Sequence, residues 1–318
     1  MLSTLKFVQG AVGKKDFIPA ITHFCIEGGT IRSYNGVLAL SAPIDVELQC
    51  NPKAVPFVKA IASCDDVVSL SMTGAGRLKV ASGKFRALID CIDGETPHVK
   101  PTGQRYDGFD GAALVAAIAR VQPFIGEDAS RLWSMGVIVD GDMVYATNNV
   151  CLAATRLPKP FAHRMCIPKM AVTELLRVKE APTWLQKDNH SVTFHFESGK
   201  WLRTQLNETS WPDFVKILSK PGNPVPIPED LFKGLAKLKP FLEDAMARVH
   251  FLDGHIGTTP DDTGTTYAVQ GLPPQGVFQH GMLQLLEGNV THCDFSTWPA
   301  PCMFRGDNLW GAIAGLRQ

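Results

Sequence analysis

Residues 78–85 read LKVASGKF and residues 194–201 read FHFESGKW. In both, apolar residues at alternate positions mark a strand. Ser-Gly-Lys followed by an aromatic residue interrupts each. After another alternating run comes an acidic loop with a proline, GETPHV at 94–99 and ETSWPDF at 208–214. Gly83 and Gly199 stand 116 residues apart, and Gly306, in FRGDNLWGAI at 304–313, follows Gly199 by 107. The third match is weak by itself, but its spacing fits three units of similar length.

Working outward, helical patterns lead into short strands in every unit. Asn51-Pro52 reads as a helix start, a capping side chain before proline at the first helical position. Ala54, Phe57, Val58 and Ile61 then follow helical spacing, and the strands VVSLSM (67–72), RLKVA (77–81) and KFRALID (84–90) come after. In the second unit Leu114, Val115, Ile118 and Val121 form a stripe, followed by GVIVD and MVYAT. A further helix is expected from Pro168, with Ala171, Leu175 and Val178 apolar, and then the strand SVTFHFE. Leu231, Leu235 and Leu238, then Phe278, Met282 and Leu285, repeat the theme, and Leu5, Val8 and Val12 open the chain with it. The implied fold class is α+β, with helices covering antiparallel sheets. KPTGQRYDGFD at 100–110 and SKPGNPVPIP at 219–228 are the boundary stretches. They divide the chain into 1–104, 105–222 and 223–318. The loop at 253–266 reads as an exposed excursion.

The 318 residues carry 31 Lys+Arg and 31 Asp+Glu, and 45% are apolar, which excludes a disordered chain and a globally basic coating protein. Nucleic-acid affinity would have to come from charge placed locally. No stretch approaches the roughly 18 apolar residues of a membrane span. Lys6 interrupts any leader-like run, so a cytoplasmic location and no membrane partner are expected. The eight cysteines form no CxxC pair and sit among apolar neighbours, as reduced structural thiols do.

The helices carry basic residues that the zero total hides. They are Lys6, Lys14 and Lys15 at the first, Lys53 and Lys59 on the second, and Arg120 on the third. Lys169 and Arg177 share a face of the fourth, and Lys233 and Lys237 lie at i,i+4 on the fifth. For a single helix this describes a solvated face. Five of six leaning basic in a neutral chain points to one common basic surface. Catalytic constellations are thin. G-x-S-x-G, H-E-x-x-H and a phosphate-binding glycine loop are all missing, and no metal ligand set or cofactor is expected. His190 and His195 read as surface or core residues, and Asp261-Asp262 as a solvated loop pair.

Taken in order, these segments resemble the bacterial β sliding clamps, the processivity subunit of DNA polymerase III. VGKKDFIPAITHFCIEGGTIRSYNGVLAL and NPKAVPFVKAIASC with GRLKVASGKFRALID resemble the first clamp domain. SRLWSMGVIVD, MVYATNNVCLAATRLP and CIPKMAVTELL with SWPDFVKIL resemble the second. FQHGMLQLLEGNV and PCMFRGDNLWGAIAGLRQ resemble the last helix, strands and terminal arginine peptide. The chain begins almost directly in the first helix, without the family's opening strand. The divergence fits a viral or prophage copy.

The resemblance implies three domains of one topology and a head-to-tail homodimeric ring that holds double-stranded DNA without reading its sequence. The ring would serve a DNA polymerase and be opened by a clamp-loader ATPase, and it would have no catalytic residues. Twelve helices at about 10 Å each would surround a hole roughly 28 Å wide, enough for a duplex and a layer of water. Lys6, Lys14, Lys15, Lys59, Arg120, Lys169, Arg177, Lys233 and Lys237 would face that hole. The ring seam would bring the strand carrying Arg77, Lys79, Lys84 and Arg86 against Phe241 and Leu242, which are followed by Glu243 and Asp244. Equally, Phe241 and Leu242 would serve the third domain's core. A partner-peptide pocket would be walled by Thr147, Leu152, Pro212, Ile217, Leu316 and Arg317, with Trp133 and Lys216 nearby. The family's Asp-Gly-His-Arg after the threonine is replaced by Asn148-Asn149-Val150-Cys151, and its methionine-rich end by Ala314-Gly315-Leu316. The pocket is therefore expected to be shallower or tuned to a different peptide. A clamp-fold scaffold that does not encircle DNA is the competing reading.

Overall fold

Strands buried on one or both faces build four antiparallel sheets among the described residues, two in each of two compact units. A computed structural model describes the chain except for Lys15, Asp16, Phe17, Asp66, Glu95, His98, Asp244, Asp262 and Gln318. The expected roles of Lys15, Asp244 and Asp262 thus lie outside the described residues. One unit comprises 1–115 with 170–206, the other 116–169 with 207–318.

In the first unit a seven-stranded sheet runs in the order Cys25–Glu27, Thr30–Tyr34, Leu38–Pro43, Trp201–Gln205, Ser191–Phe196, Pro182–Lys187 and Gln104–Tyr106. Ile26, Ile31, Leu40, Leu202, Phe194 and Leu185 share its buried face, because directly opposed residues of antiparallel strands point the same way. Helices α1 (Leu2–Val8) and α2 (Ala54–Ala62) contact each other, and α1 also lies on this sheet. A three-stranded sheet, Ser69–Met72, Leu78–Ser82 and Phe85–Ile89, completes the unit's strands.

Helices α3 (Gly111–Val121) and α4 (Lys169–Arg177) follow in the chain. The second unit's six-stranded sheet has the order Val225–Pro226, His292–Cys293, Cys302–Gly306, Leu309–Ile313, Cys151–Pro168 and Gly136–Thr147. A four-stranded sheet runs Thr266–Ala268, His255–Gly257, Arg248–Leu252 and Gly276–Gln279. Helix α5 (Phe214–Leu218) is short, α6 (Glu229–Leu238) covers two strands of the smaller sheet, and α7 (His280–Gln284) follows its last strand.

Both larger sheets take strands from two of the three blocks expected from sequence. Leu202 pairs with Leu40, and Ala312 with Leu152. Backbone pairing therefore crosses the polar stretches that mark block boundaries, and the three-block division remains a proposal.

Three local expectations need correction. Asn51-Pro52 does not open a helix. The 50–53 backbone is taken by sheet-like bonds, Cys50 with Ile26 and Lys53 N–H to the Asp90 carbonyl at 2.9 Å, so α2 waits until Ala54. Pro168 ends the strand Cys151–Pro168, where it opposes Gly136, and α4 starts one residue later. Phe278 belongs to a strand, opposite Val249, and α7 begins only at His280.

The repeat glycines also divide. Gly83 (φ +55°) and Gly199 (φ +77°) hold left-handed turn positions that disfavour a side chain. At the third site Asn308 takes the left-handed position (φ +51°). Gly306 is needed for a different reason: a Cβ there would meet the Asn289 carbonyl oxygen at 2.2 Å.

Candidate functional site

The apolar patch expected to dock a peptide is built on one face of the six-stranded sheet. Thr147 opposes Leu152, Leu152 opposes Ala312, and Ala312 opposes Met303. In the next row Tyr145, Ala154, Trp310 and Arg305 follow the same sequence of partners. Strand pleating puts all eight side chains on a single face. Helix α5 approaches this face, started by Asp213, whose carboxylate accepts the Lys216 N–H at 3.2 Å. Its buried Phe214 ring lies 5.3 Å from Tyr145 and 5.9 Å from Trp133. Ile138, Leu152, Ala154 and Cys166 complete the buried cluster, and Ile217, Leu218, Trp211, Trp310 and Met143 pack against it while still partly exposed.

Of the expected pocket residues, Trp133, Leu152 and Ile217 therefore come together. Thr147 is buried at the end of its strand, and Pro212 and Lys216 are exposed on and just before α5. Leu316 and Arg317 lie on the C-terminal tail: Ala314 N donates to the Val150 carbonyl at 2.9 Å, and Leu316 donates to the Val277 carbonyl at 2.7 Å and accepts from the Trp298 indole at 3.0 Å, so their part in the pocket stays a proposal. The Asn148-Asn149 departure is an Asx turn. Asn148 Oδ1 accepts from Val150 N and Cys151 N at 3.1 and 2.7 Å, and Asn149 takes φ +72°. Tyr145, Phe214, Trp211 and Trp310 are additions to the expected set. Trp211 is pinned, its indole donating to Asp140 at 3.3 Å while the Arg164 guanidinium sits 4.7 Å over its ring. Burial pushes the Tyr145 hydroxyl up to about 12, with Asp140, Asp142 and Asp213 adding to the shift. The ring is thus a neutral wall of the cluster.

The expected basic set separates into committed and uncommitted cations. In the first unit Lys6, Lys14 and Lys59 are exposed. Arg177 is committed: it donates to the Lys6 and Phe7 carbonyls at 3.1 and 2.7 Å and to Glu174 at 2.7 Å. It adds a side-chain donor to the last carbonyls of α1, where Phe7 O also accepts a backbone N–H, and the missing side chain of Gly10 leaves room for Glu174 beside it. In the second unit Lys169 meets Glu127 at 2.7 Å and Lys233 meets Asp230 at 3.1 Å, while Lys237 is exposed and Arg120 half-buried. Lys6, Lys59, Arg120, Arg177 and Lys237 all stand in the last turn of their helices, where a cation also complements the helix dipole.

Arg177→Gln should therefore act on stability more than on charge. Glu174 keeps only 12% of its side-chain surface exposed and would lose its partner. A loss of about 2 kcal/mol is expected in urea unfolding, with little change in the salt dependence of whatever affinity for DNA the chain has. An unchanged midpoint with a shallower salt slope would instead make Arg177 a duplex contact.

At the expected seam, Lys84 and Arg86 are exposed and Lys79 is half-buried. Arg77 Nε lies 2.8 Å from Asp90 Oδ1, too oblique for a hydrogen bond. Leu88, on the sheet-edge strand with Arg86, is 49% exposed, and Phe241 is 55% exposed. The core alternative for Phe241 is thereby excluded, whereas Leu242 is half-buried. Among the described residues no group of three His, Cys, Asp or Glu side chains is placed to hold a metal ion, and no helix is long and apolar enough to cross a membrane.

No family model and no curated protein matches the chain. Solved structures do. A Caulobacter crescentus β sliding clamp is 17% identical with a TM-score of 0.82, covering 100% of this chain and 97% of that one. A Bartonella birtlesii DnaN sliding clamp bound to griselimycin is 16% identical with a TM-score of 0.83 and the same coverage. A Helicobacter pylori β clamp bound to a DNA ligase peptide, also 16% identical and equally covered, has a TM-score of 0.75. Over its whole length, this chain has the α+β fold of the bacterial β sliding clamps.

Proposed function

We propose that the protein is a DNA sliding clamp, a non-catalytic cytoplasmic subunit whose homodimeric ring encircles duplex DNA and tethers a replicative polymerase. The observation that carries this reading is the full-length correspondence to clamp structures, with no block of the fold left over. Exposed Lys6, Lys59 and Lys237 on helices, and Lys14 in the bend after the first, support it, because such cations offer phosphate contacts that carry no sequence information. A ring that holds DNA topologically needs only such weak contacts, and tight binding would stop it sliding. The sheet edge with Arg86 and Leu88 meeting Phe241 of a second copy would close the ring. The apolar cluster around Phe214 would receive a peptide from the polymerase, and a clamp-loader ATPase would open the seam.

Loaded onto plasmid, the protein should remain on closed circles and run off the same plasmid after linearisation, and light scattering should give twice 34.6 kDa. Equal loss from circular and linear DNA, or a monomer mass, would leave the non-encircling scaffold as the better account.

A further inference from the structure

The sheet face that carries the apolar cluster does not end at it. Leu218 and Trp310 pack against the cluster and also wall a neighbouring cavity of about 540 Å³. Across that cavity lie Met303, Asn308 and two cations, Lys220 and Arg305. Arg305 is the direct cross-strand partner of Trp310, and Met303 that of Ala312, so the face continues from the apolar rows to the charged rim without a break. Both cations are exposed, and neither forms an ion pair among the described residues.

The carboxylates near the cavity already accept hydrogen bonds, and Asp307, between the lining residues Gly306 and Asn308, is outnumbered by the two cations. Asp294 accepts from Asn223 N and Ser296 Oγ at 2.7 and 2.5 Å. Asp307 accepts from Asn308 at 3.2 Å, and Asp213 caps the far end of α5. The cavity thus combines an apolar floor with a positive rim, and it is continuous with a surface already suited to an apolar peptide.

We propose that this cavity is a second subsite for the docked peptide, taking acidic residues that flank its apolar anchor on one side. The inference rests on the docking role proposed for the Phe214 cluster and adds a selectivity to it: partners with an Asp or Glu beside the anchor bind in preference to those with neutral flanks. Carboxylates reaching Lys220 and Arg305 would form charge-assisted hydrogen bonds at the edge of an apolar wall.

Fluorescence anisotropy with the full chain tests this, using the labelled peptide Ser-Leu-Ser-Leu-Phe and versions extended by Asp-Glu or Ser-Ser at either end. One of the two acidic peptides should bind about five-fold tighter than its Ser-Ser counterpart at low salt, and the gain should fall below about two-fold at 0.5 M salt. Lys220→Glu with Arg305→Glu should abolish the gain, so that the acidic and Ser-Ser peptides bind with equal affinity. Equal affinities, or a gain that survives the double substitution, would overturn the subsite while leaving the docking role intact. Should no peptide bind, extended or not, the docking role itself would fall, and the subsite with it.

Discussion

Replacing Lys6, Lys59, Lys233 and Lys237 with glutamate should cut the lifetime of the protein on closed circular DNA by on the order of ten-fold at 0.15 M salt. The ring proposal makes these contacts weak individually and additive in the potential they create. Each phosphate contact removed should lower the slope of log affinity against log salt by about 0.9. The four substitutions should therefore flatten it by roughly 3 to 4 if all four face the duplex. Their contributions should not be equal. Lys233 is held by Asp230 at 3.1 Å, so part of its charge is already answered, whereas Lys237 has no such partner among the described residues. Reversing Lys237 alone should thus do more than reversing Lys233 alone.

Lys6, Lys59 and Lys237 also end their helices, so glutamate there opposes the dipole and costs up to about 1 kcal/mol each. The matching glutamine set separates the two causes. It should keep most of the stability and still flatten the salt slope. Unchanged retention with a lowered unfolding midpoint would make these lysines helix caps and nothing more.

Much of the fold was legible because its signals are local. Alternating burial at 78–82 is the pattern of a strand with one face on a core, and Leu231, Leu235 and Leu238 mark a helix whichever sheet it covers. What was not legible depends on partners distant in sequence. Pro52 looks like a helix start until Cys91 is beside it, and Phe278 fits a helical stripe until Val249 pairs with it. The commitment of Arg177 to the carbonyls of Lys6 and Phe7 spans 170 residues or more and leaves no trace in the helix that carries it. The same holds for the site. The resemblance to clamps supplied Leu152 and Ile217, which meet in the cluster, and also Leu316, whose backbone bonds to Val277 and Trp298 no pattern in the sequence announces. Phe214 and Trp310 were visible as letters in SWPDF and LWGAI. Their role comes from the strand register that places Trp310 opposite Ala154, and from the Asp213 cap that turns Phe214 toward Tyr145.

The cluster provides the sharpest separation of binding from folding. Ile217 touches it from the partly exposed side, and Phe214 fills it at 5% exposure. Ile217→Asp should weaken binding of the Ser-Leu-Ser-Leu-Phe peptide by about 30-fold, the loss typical of a contact at the centre of an interface. The unfolding midpoint should move little, because the new carboxylate can stay in water. Phe214→Ala should do the reverse in emphasis. It empties a site shared by Tyr145 and Trp133, and should cost about 3 to 4 kcal/mol of stability in urea, with peptide binding lost as a consequence. The pair is informative because a peptide bound elsewhere on the molecule would be insensitive to Ile217→Asp. A peptide bound at this face would lose affinity in both variants, with only one of them less stable. Since the subsite at Lys220 and Arg305 adjoins the same wall through Trp310 and Leu218, Ile217→Asp should weaken the acidic and neutral peptides by the same factor. A larger loss for the acidic peptide would show that the added carboxylate repels it, and that the rim lies closer to Ile217 than the sheet register implies.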